Sequence, residues 1–289
     1  MSAIIFGASG QDGYYLSQLL AAENIKVTQV SRSEPFDKTD ITDFTQVSKL
    51  IKEKQPAFIF HFAANSTTRH DVMFQNHAAI STGTLNILEA VRLYSPASKV
   101  FISGSGLQFK NNNLPINESV PFEARDPYSV SRIQSVYAAR YFRNLGVNAY
   151  VGYFFNHDSP RRTDRHMSKK IVDAAKRISM GSTEKLEIGD LDVVKEWTFA
   201  GDVVRAVWTL VNQESAFEVV IGSGKGYSIK DWISICFSHF DLNWEKHVSV
   251  NQDFTADYKQ LISNPSLLMS LGWKPDVSFE GLCNMMIKS

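Results

Sequence analysis

Three glycines near the N-terminus are spaced to hold a phosphate group. Gly7, Gly10 and Gly13 form a Gly-x-x-Gly-x-x-Gly pattern that follows the apolar run 3–6 and precedes a segment with helical periodicity. In such a turn the first glycine lets the chain bend, the second lets backbone amides approach a pyrophosphate, and the third lets helix and strand pack closely. A purely structural turn is the alternative, but the flanking strand and helix favour a nucleotide-cofactor site. The residues assigned to this site are Gly7, Ser9, Gly10, Gln11, Asp12 and Gly13.

The residue that follows the second predicted strand bears on the choice of cofactor. That strand, 25–31, is followed by Arg32, and the first acidic side chain after it is Glu34. In dinucleotide-binding folds an acid at this place selects NAD, whereas a basic residue accommodates the 2′-phosphate of NADP. We therefore expect NADP(H) rather than NAD, with a solvated turn arginine as the alternative. The remaining predicted cofactor contacts are Asp40 and Ile41, before the next helix, and Ala63, at the end of the next strand.

Strands alternate with helices through the first half of the chain. Strand-like runs at 3–6, 25–31, 57–62, 99–103 and 149–155 are separated by helical patterns that include 42–54, 72–94 and 127–145. This alternation predicts an α/β fold, a Rossmann-like doubly wound parallel sheet. After Asn156 the alternation loosens, which predicts a smaller C-terminal lobe packed over the strand ends. The predicted division is a cofactor-binding domain at 1–155 and a substrate-binding lobe at 156–289.

Composition and charge argue against several classes of function. Thirty basic and thirty acidic residues cancel without a block of like charge, which argues against nucleic-acid or membrane-surface binding. No apolar run approaches the length of a membrane span, and we expect a cytoplasmic protein without a signal peptide. Cys236 and Cys283 lie in apolar helical contexts, which favours buried reduced thiols over a disulfide. The seven histidines show no paired ligand spacing, so no metal site is predicted.

Several stretches resemble one family of enzymes. The glycine turn at 7–16, the Phe-Ala-Ala-Asn-Ser segment at 62–66, the helical segment 83–90 and the Asp-Pro-Tyr-Ser-Val-Ser run at 126–131 resemble the extended short-chain dehydrogenase/reductases that act on nucleotide sugars. The run at 154–162, Phe-Phe-Asn-His-Asp-Ser-Pro-Arg-Arg, is similar to the GDP-mannose 4,6-dehydratases in particular. Further matches at 188–192, 196–197 and 271–275 extend the resemblance over nearly the whole chain.

The resemblance implies a catalytic tyrosine with a charged partner. In that family the sugar is oxidised at C4 with hydride passing to NADP, a tyrosine takes the hydroxyl proton, and a nearby lysine assists it. The tyrosine corresponds to Tyr128, and the lysine position, four residues later on the same helix face, is Arg132. Both are also expected to touch the cofactor. Arginine keeps the positive charge that favours an ionised tyrosine, but its planar head is not an isosteric substitute for lysine.

Two glycines stand where the family carries reactive side chains. The family's Ser-Thr-Ser-Glu-Leu-Tyr run corresponds to 103–108, so that Gly104 replaces the hydroxyl and Gly106 replaces the glutamate that drives loss of the C6 hydroxyl. Ser103 or Ser105 could polarise the 4-oxygen if the loop shifts, and Ser105 is assigned this role, but neither replaces a carboxylate. Acid–base help is worth about 10²–10⁴ in rate, so dehydration is expected to be impaired. The other acids considered are Glu118 and Asp71.

The resemblance also implies a nucleotide-sugar substrate, namely a GDP-hexose. The predicted substrate-binding residues are Asn65, Asn156, Arg161 and Arg162, with Arg161 as a phosphate ligand and a solvated arginine pair as the alternative. The family's long arginine- and serine-rich loop after the second strand is shortened here to 32–36. This difference favours a homodimer, formed through the two long helices, over a tetramer.

Two functions remain open at this point. The first is an NADP(H)-dependent enzyme acting at C4 of a GDP-hexose, by 4-keto reduction or another reaction that eliminates nothing. The second is a catalytically inactive paralogue that binds the cofactor and has a binding or regulatory role. The second is motivated by Gly104, Gly106 and Arg132 together.

Overall fold

One large parallel sheet and several small ones organise the chain. The structure, a computed structural model, describes residues 1–65 and 67–289, so that Ser66 of the 62–66 motif lies outside the described residues. In chain order the strands are β1 (Ser2–Phe6), β2 (Lys26–Val30), β3 (Phe58–His61), β4 (Lys99–Ser105), β5 (Asn148–Phe154), β6 (His157–Asp158), β7 (Leu186–Ile188), β8 (Val194–Glu196), β9 (Thr198–Phe199), β10 (Glu218–Ile221), β11 (Gly226–Ser228), β12 (Val248–Val250) and β13 (Gln260–Leu261).

Helices connect most of the strands of the large sheet. They are α1 (Gln11–Ala22), α2 (Phe44–Lys54), α3 (Met73–Asn76), α4 (Gly83–Tyr94), α5 (Pro127–Asn144), α6 (Met167–Ser179), α7 (Ala200–Val211), α8 (Ile229–Ser238), α9 (Ser266–Ser270) and α10 (Phe279–Ile287). The predicted helical stretch over 72–94 is present, but it is not one continuous α-helix. Between α3 and α4 the chain forms a π-helical turn, His77–Thr82. Such a turn closes wider hydrogen-bonded rings than an α-helix and so is not visible in a pattern of period 3.6.

The large sheet has the order β10-β5-β4-β3-β1-β2, and all of its strand pairs are parallel. This confirms the predicted doubly wound α/β fold. β1 reads as a continuous apolar run because both of its faces are covered, and Ile4 and Ile5 are fully buried. The strand order reverses between β1 and β3, because the chain goes from β1 outward to β2 and then returns to β3 on the other side. Ligands of doubly wound sheets bind at such a switch point, beyond the carboxyl ends of the strands.

The two faces of this sheet have separate apolar cores. On one face, Leu16 and Leu20 of α1 pack with Val203 and Val207 of α7. On the other face α2, α4 and α5 cover the sheet, with side chains such as Val47, Ile87 and Val136. Helix α1 therefore lies on one face of the sheet, with its N-terminus at the glycine turn.

The C-terminal part of the chain forms a third core and also returns to the large sheet. Trp232 is fully buried between α6, α8 and α10, and it stacks on Trp197 at 4.5 Å between ring centroids. However, β10 pairs with β5, and α7 packs against α1. The two predicted regions are thus interleaved, and a boundary near residue 155 stays a prediction.

Candidate active site and cofactor site

The glycine turn is shaped by close backbone contacts. Gly7 has φ of +90°, a left-handed conformation that favours glycine, and a Cβ there would lie 2.6 Å from the amide nitrogen of Ala63. A Cβ on Gly13 would lie 2.6 Å from the Cα of Ala8. These two positions therefore exclude side chains, which keeps the turn flat against the ends of β1 and β3. Ala63, a predicted cofactor contact, lies directly beside this turn.

The N-terminus of α1 presents amides that no side chain caps. Gly10 precedes the helix in an extended conformation without a side-chain cap, and the first helical hydrogen bond runs from the Tyr14 amide to the Gly10 carbonyl. The amides of the first turn have no acceptor within the helix itself and carry the positive end of its dipole. An uncapped helix start behind a glycine turn fits the pyrophosphate of a dinucleotide. The residues present therefore fit a nicotinamide cofactor.

The end of β2 carries hydroxyl groups next to an exposed cation. The Ser9 and Ser31 side-chain oxygens lie 2.8 Å apart, and Ser31 and Ser33 lie 3.3 Å apart. Arg32 is exposed between them. Asp40 is occupied locally, because its carboxylate accepts from the Thr42 amide at 2.9 Å and the Thr42 hydroxyl at 2.8 Å. Of the predicted cofactor residues in this region, Ser9 and Arg32 offer polar groups, while Ile41 packs against Gly83.

A cavity of about 260 Å³ lies beyond the carboxyl ends of β4 and β5. It brings together six of the predicted site residues: Asp12, Ser105, Tyr128, Arg132, Asn156 and Arg162. The predicted residues Asn65 and Arg161 do not line it. Both cofactor and substrate candidates thus meet in one place, from segments far apart in the sequence.

Tyr128 and Arg132 are positioned by the start of α5. Asp126 caps this helix by accepting a hydrogen bond from the Ser129 amide at 2.9 Å, and Pro127 occupies its first turn. Tyr128 and Arg132 then lie one turn apart, with the guanidinium carbon 5.0 Å from the centre of the phenol ring. The predicted pairing on one helix face is therefore present in the structure.

The guanidinium of Arg132 is buried and turned toward β4. Only 4% of the residue is exposed, and it donates to the Ser103 hydroxyl at 2.8 Å and also to the Ser103 carbonyl. The Arg132 Nε lies buried without a partner among the described residues. Burial, and to a smaller extent the charge of Arg132, lower the pKa of the nearby His61 to about 3, so His61 is neutral. Arg132 is thus the cation fixed beneath the tyrosine.

Aromatic rings fill the space beside the two glycines of 103–108. A Cβ on Gly104 would lie 2.6 Å from Cδ1 of Tyr153, and one on Gly106 would lie 3.0 Å from the ring of Phe155. Ser105 lines the cavity, but its hydroxyl accepts from the Leu107 amide at 3.2 Å. The resemblance assigns a hydroxyl and a carboxylate to these two positions, and a side chain at either one would require the neighbouring ring to shift.

The acids considered from the sequence lie elsewhere. Glu118 accepts from the Val220 amide at 2.8 Å on the edge strand β10, and Asp71 forms an exposed ion pair with Arg69. Among the described residues, the carboxylates that line the cavity are Asp12 and Asp158. Each is paired, Asp12 with His157 at 2.9 Å and Asp158 with Arg162 at 2.8 Å. The two acids at the cavity are thus engaged in ion pairs, and Glu118 and Asp71 do not line it.

The run 156–162 connects the cavity to the cofactor turn. The Ser159 hydroxyl donates to the Gln11 side-chain oxygen at 2.8 Å, which anchors this segment on the first turn of α1. The Oδ1 atom of Asn156 is buried without a partner among the described residues, and Asn156 lines the cavity. Arg161 points the other way and stacks on the ring of Tyr14, 3.9 Å from its centre. It lines a separate groove beside Ser9 on the outer side of α1.

Sequence reasoning missed several side chains of the cavity. Lys195, His166 and Tyr258 also line it, and Lys195 lies 5.2 Å from the centre of the Trp197 ring. Burial lowers the pKa of Lys195, against the opposing effect of Asp158. Trp197, which stacks on Trp232, also forms part of the cavity wall. No local pattern marks these residues, because they reach the cavity only through the fold of the C-terminal lobe.

The described residues contain neither a cluster of metal ligands nor a membrane-spanning helix. No group of three or more potential ligands comes together as a metal site within 1–65 and 67–289. In the same part of the chain, no helix has the length and apolar character needed to cross a membrane.

Comparison of the sequence with known proteins finds one family across the chain. The family described as GDP-mannose 4,6 dehydratase matches residues 4–286. GDP-mannose 4,6 dehydratase 2 of Arabidopsis thaliana is 31% identical over an alignment that covers 99% of this chain and 85% of that protein. The GDP-mannose 4,6-dehydratase of Yersinia enterocolitica is 27% identical, with 99% and 92% covered.

Solved structures share the fold at low sequence identity. RMD from Pseudomonas aeruginosa, complexed with NADPH, has a TM-score of 0.86 at 21% identity, covering 99% of this chain and 96% of that one. The dTDP-glucose 4,6-dehydratase of Bacillus anthracis, in complex with NAD, has a TM-score of 0.87 at 18% identity, with 100% and 96% covered. The UDP-glucose 4-epimerase of Thermotoga maritima has a TM-score of 0.89 at 20% identity, with 100% and 98% covered.

Proposed function

We propose that this chain, which belongs to the GDP-mannose 4,6-dehydratase family, acts at C4 of a GDP-hexose with NADP(H) and does not eliminate the C6 hydroxyl. The members of this family are NAD(P)-dependent enzymes of nucleotide-sugar metabolism. The observation that carries the proposal is the composition of the cavity. Tyr128 lies over the fixed cation of Arg132, while both carboxylates of the described cavity wall are held in ion pairs. Such a site can move a proton at a hydroxyl or carbonyl oxygen, and among the described residues it offers no unpaired carboxylate for elimination.

The chain's own residues supply binding and proton transfer. The cofactor, when bound, would accept or supply the hydride at C4. The phenol of Tyr128 would give a proton to the 4-oxygen during reduction, or take it during oxidation, with Arg132 stabilising the ionised phenol. Ser105, at the same cavity wall, would hydrogen-bond that oxygen. Arginine cannot lose its proton in proteins, so Arg132 supplies charge and orientation and does not relay protons.

A cationic cavity suits the diphosphate of a nucleotide sugar. Arg162 and Lys195 line the wall opposite β4, and Asn156 offers an unpaired amide oxygen among the described atoms. Arg162 is partly neutralised by Asp158, whereas Lys195 has no carboxylate within ion-pairing distance among the described residues. We therefore assign Lys195 as the main diphosphate ligand, with Arg162 and Asn156 beside it. Arg161, which stacks on Tyr14, would serve the cofactor side instead.

The preference for NADP(H) rests on the end of β2. Exposed Arg32 and the hydroxyls of Ser9, Ser31 and Ser33 form a cluster without a carboxylate acceptor, which suits a 2′-phosphate. The related folds are seen with NADPH or with NAD, so relatives alone do not decide between the two cofactors. Arg32 therefore carries this part of the proposal.

Exposed apolar side chains on the long helices support a homodimer. On α5, Tyr137 is 58% exposed and Tyr141 is 59% exposed, and Phe74 of α3 is 77% exposed. Large apolar groups clustered on one helical surface favour association with a second copy. A cytoplasmic location stays a prediction, based on the composition and on the free, buried Cys236 and Cys283.

The second candidate function is a cofactor-binding paralogue without catalysis. It is favoured by one observation, namely that the polar groups around Tyr128 are already committed to the protein itself. Arg132 is bonded to Ser103, and the Ser105 hydroxyl to the Leu107 amide. In this reading the cavity binds a nucleotide sugar and does not transform it.

One pair of assays tests the proposal. Purified protein is incubated with GDP-mannose and NADP⁺, and separately with GDP-4-keto-6-deoxymannose and NADPH, and products are followed by NMR and by the absorbance of reduced nicotinamide. We expect no 4-keto-6-deoxy product in the first assay and hydride transfer in the second. Tyr128→Phe should lower the rate by about 10²–10⁴ and leave the cofactor Kd unchanged.

The outcomes separate the candidates. Formation of the keto sugar from GDP-mannose would contradict the loss of elimination. Absence of product in both assays, together with cofactor binding, would favour the inactive paralogue. Loss of cofactor binding in Tyr128→Phe would show that the tyrosine is needed to hold the cofactor, and the fall in rate would then not identify it as the proton-transfer group.

A further inference from the structure

His157 is held between two hydrogen-bond acceptors. Its Nδ1 lies 2.8 Å from the Phe155 carbonyl oxygen, and its Nε2 lies 2.9 Å from Oδ1 of Asp12. A neutral imidazole carries one N–H and can satisfy one of these acceptors, whereas an imidazolium satisfies both. The side chain is 10% exposed. The geometry therefore describes a buried cation bonded to a carboxylate.

Asp12 occupies a place where its charge matters for an anionic ligand. It lies in the first turn of α1, two residues after Gly10, among the amides that no side chain caps. A carboxylate is favoured at this end of a helix dipole. The same carboxylate would repel a pyrophosphate bound at those amides, unless a cation neutralises it. His157 is the group that makes direct contact with this carboxylate.

The other charged groups near this pair are engaged with each other. Arg162 donates to the His157 carbonyl at 2.7 Å and to the Asp158 carboxylate at 2.8 Å. His166 lies 3.0 Å from a guanidinium nitrogen of Arg162, and burial and that charge lower its pKa, so it is neutral. From the strand side, the ring of Phe154 meets the imidazole edge-on. The charge of Arg162 is thus balanced by Asp158, and that of Asp12 by His157.

The protonation of both partners agrees with this geometry. Burial alone would raise the pKa of Asp12, but the charge and hydrogen bond of His157, followed by the charge of Arg162 and a hydrogen bond from Gln11, outweigh it and lower that pKa. Burial alone would lower the pKa of His157, but the contact with Asp12 outweighs it and raises that pKa.

We propose that His157 is a positioning residue that neutralises Asp12 and thereby makes the affinity for the dinucleotide cofactor depend on pH. This inference rests on the proposed function, since it requires a pyrophosphate at the glycine turn. When His157 loses its proton at alkaline pH, Asp12 stays ionised and its charge faces the pyrophosphate uncompensated. Cofactor affinity then falls as pH rises, and cofactor binding at that pH is accompanied by proton uptake.

A double-mutant cycle on cofactor affinity tests this proposal. The Kd of NADP⁺ is measured by calorimetry from mildly acidic to alkaline pH for wild type, His157→Gln, Asp12→Asn and the double variant. At neutral pH, His157→Gln should weaken binding about ten- to hundredfold, because it leaves Asp12 uncompensated. Asp12→Asn should give a Kd that is flat toward alkaline pH, because it removes the charge that His157 compensates. The double variant should recover to within about threefold of Asp12→Asn, since no uncompensated charge remains.

Ser159→Ala is the matched control. It removes the hydrogen bond between Ser159 and Gln11, which also joins the 156–162 segment to the first turn of α1 but carries no charge. It should keep the wild-type pH dependence. If His157→Gln does not fold, the comparison of Asp12→Asn with wild type still tests the proposal. The Kd of NADP⁺ should rise with pH for wild type and stay constant for Asp12→Asn.

A double variant as weak as His157→Gln would overturn the inference and leave only a structural role for the pair. A wild-type Kd that does not change between neutral and alkaline pH would also overturn it. Absence of any NADP⁺ or NAD⁺ binding by wild type would overturn the proposed function together with this inference, and so is distinguishable from either result.

Discussion

Arg132 donates two hydrogen bonds to Ser103, a residue 29 positions earlier, one to its hydroxyl at 2.8 Å and one to its carbonyl. The contact joins α5 to the end of β4 directly beneath Tyr128. It also passes through Ser103 to the next strand, because the Ser103 hydroxyl donates to the His61 carbonyl at 2.9 Å. The cation of the site is therefore held by the sheet itself.

This arrangement predicts different results for two substitutions of Arg132. Arg132→Lys keeps the charge and can still reach one Ser103 acceptor, so turnover should stay within about tenfold of wild type. Arg132→Met removes the charge and leaves buried acceptors unpaired, which should cost about 1–3 kcal/mol of unfolding free energy and about 10² in rate. Urea unfolding and the keto-sugar reduction assay measure these two effects. Equal rates for both variants would show that the charge takes no part in the reaction.

Restoring the family's side chains at Gly104 and Gly106 should damage the fold without creating a dehydratase. Gly104→Thr and Gly106→Glu place a Cβ against the rings of Tyr153 and Phe155. Overpacking of this kind costs about 1–3 kcal/mol per site, measurable by urea unfolding. Phe155→Leu should recover part of the loss in Gly106→Glu. Gly281→Ala, with its nearest contact at 3.3 Å, is the control and should change stability little. Efficient elimination from GDP-mannose by the double variant would disprove this account.

Glu218 fastens the edge strand β10 to α5, and its loss should destabilise the protein. Its carboxylate accepts from Arg140 at 2.7 Å, from the Tyr153 phenol at 2.5 Å and from Arg143. Glu218→Gln leaves two guanidinium groups without their carboxylate, so we expect a loss of about 3 kcal/mol in unfolding free energy at neutral pH. Glu184→Gln, which breaks an exposed pair with Arg177, should cost less than about 1 kcal/mol.

The same carboxylate predicts how stability changes in acid. Burial alone would raise the pKa of Glu218, but hydrogen bonds from Arg140, Tyr153 and Arg143 outweigh it and lower the pKa to about 2. A depressed pKa contributes stability that is present above the unfolded value of about 4.5 and is lost as pH falls toward about 2. Wild type should therefore lose more stability than Glu218→Gln between these two pH values. Parallel stability curves for the two proteins would show that Glu218 is not held ionised.

Arg32 should decide between the two dinucleotides. Arg32→Ala removes the exposed cation next to the Ser9, Ser31 and Ser33 hydroxyls, so the Kd for NADP⁺ should rise about tenfold while that for NAD⁺ stays constant. Calorimetry with both cofactors measures the ratio. Lys54→Ala, which removes an exposed cation at the end of α2, should leave both values unchanged. An equal loss for NADP⁺ and NAD⁺ would remove the 2′-phosphate from this explanation.

The exposed aromatic surface of α5 should hold the proposed homodimer together. Tyr141→Arg places a charge at a side chain that is 59% exposed on α5, and it should shift the protein from dimer to monomer. Sedimentation equilibrium or light scattering after gel filtration measures the mass. Met180→Glu, at an apolar residue 84% exposed just after α6, is the control and should leave the mass unchanged. A wild-type monomer at high protein concentration would contradict the proposed assembly.

Local patterns were sufficient for the fold class and for the start of the site. The apolar run of β1, the glycines behind it and the alternation of strands and helices are all short-range features, and the large parallel sheet follows from them. Tyr128 and Arg132 are four residues apart, and this spacing predicts that they share one face of a helix, as they do. The π-helical turn at 77–82 was missed because it breaks the period on which helix prediction depends.

Only the tertiary structure decided what these residues touch. The direction of Arg132 toward Ser103, the pairing of Asp12 with His157 across 145 residues, and the arrival of Lys195 at the cavity wall depend on how distant segments pack. The same holds for Gly104, whose missing side chain is replaced in space by Tyr153 from the neighbouring strand. Hydrogen bonds and ion pairs act over a few ångströms in space whatever the separation along the chain, so a sequence names the partners without saying which of them meet.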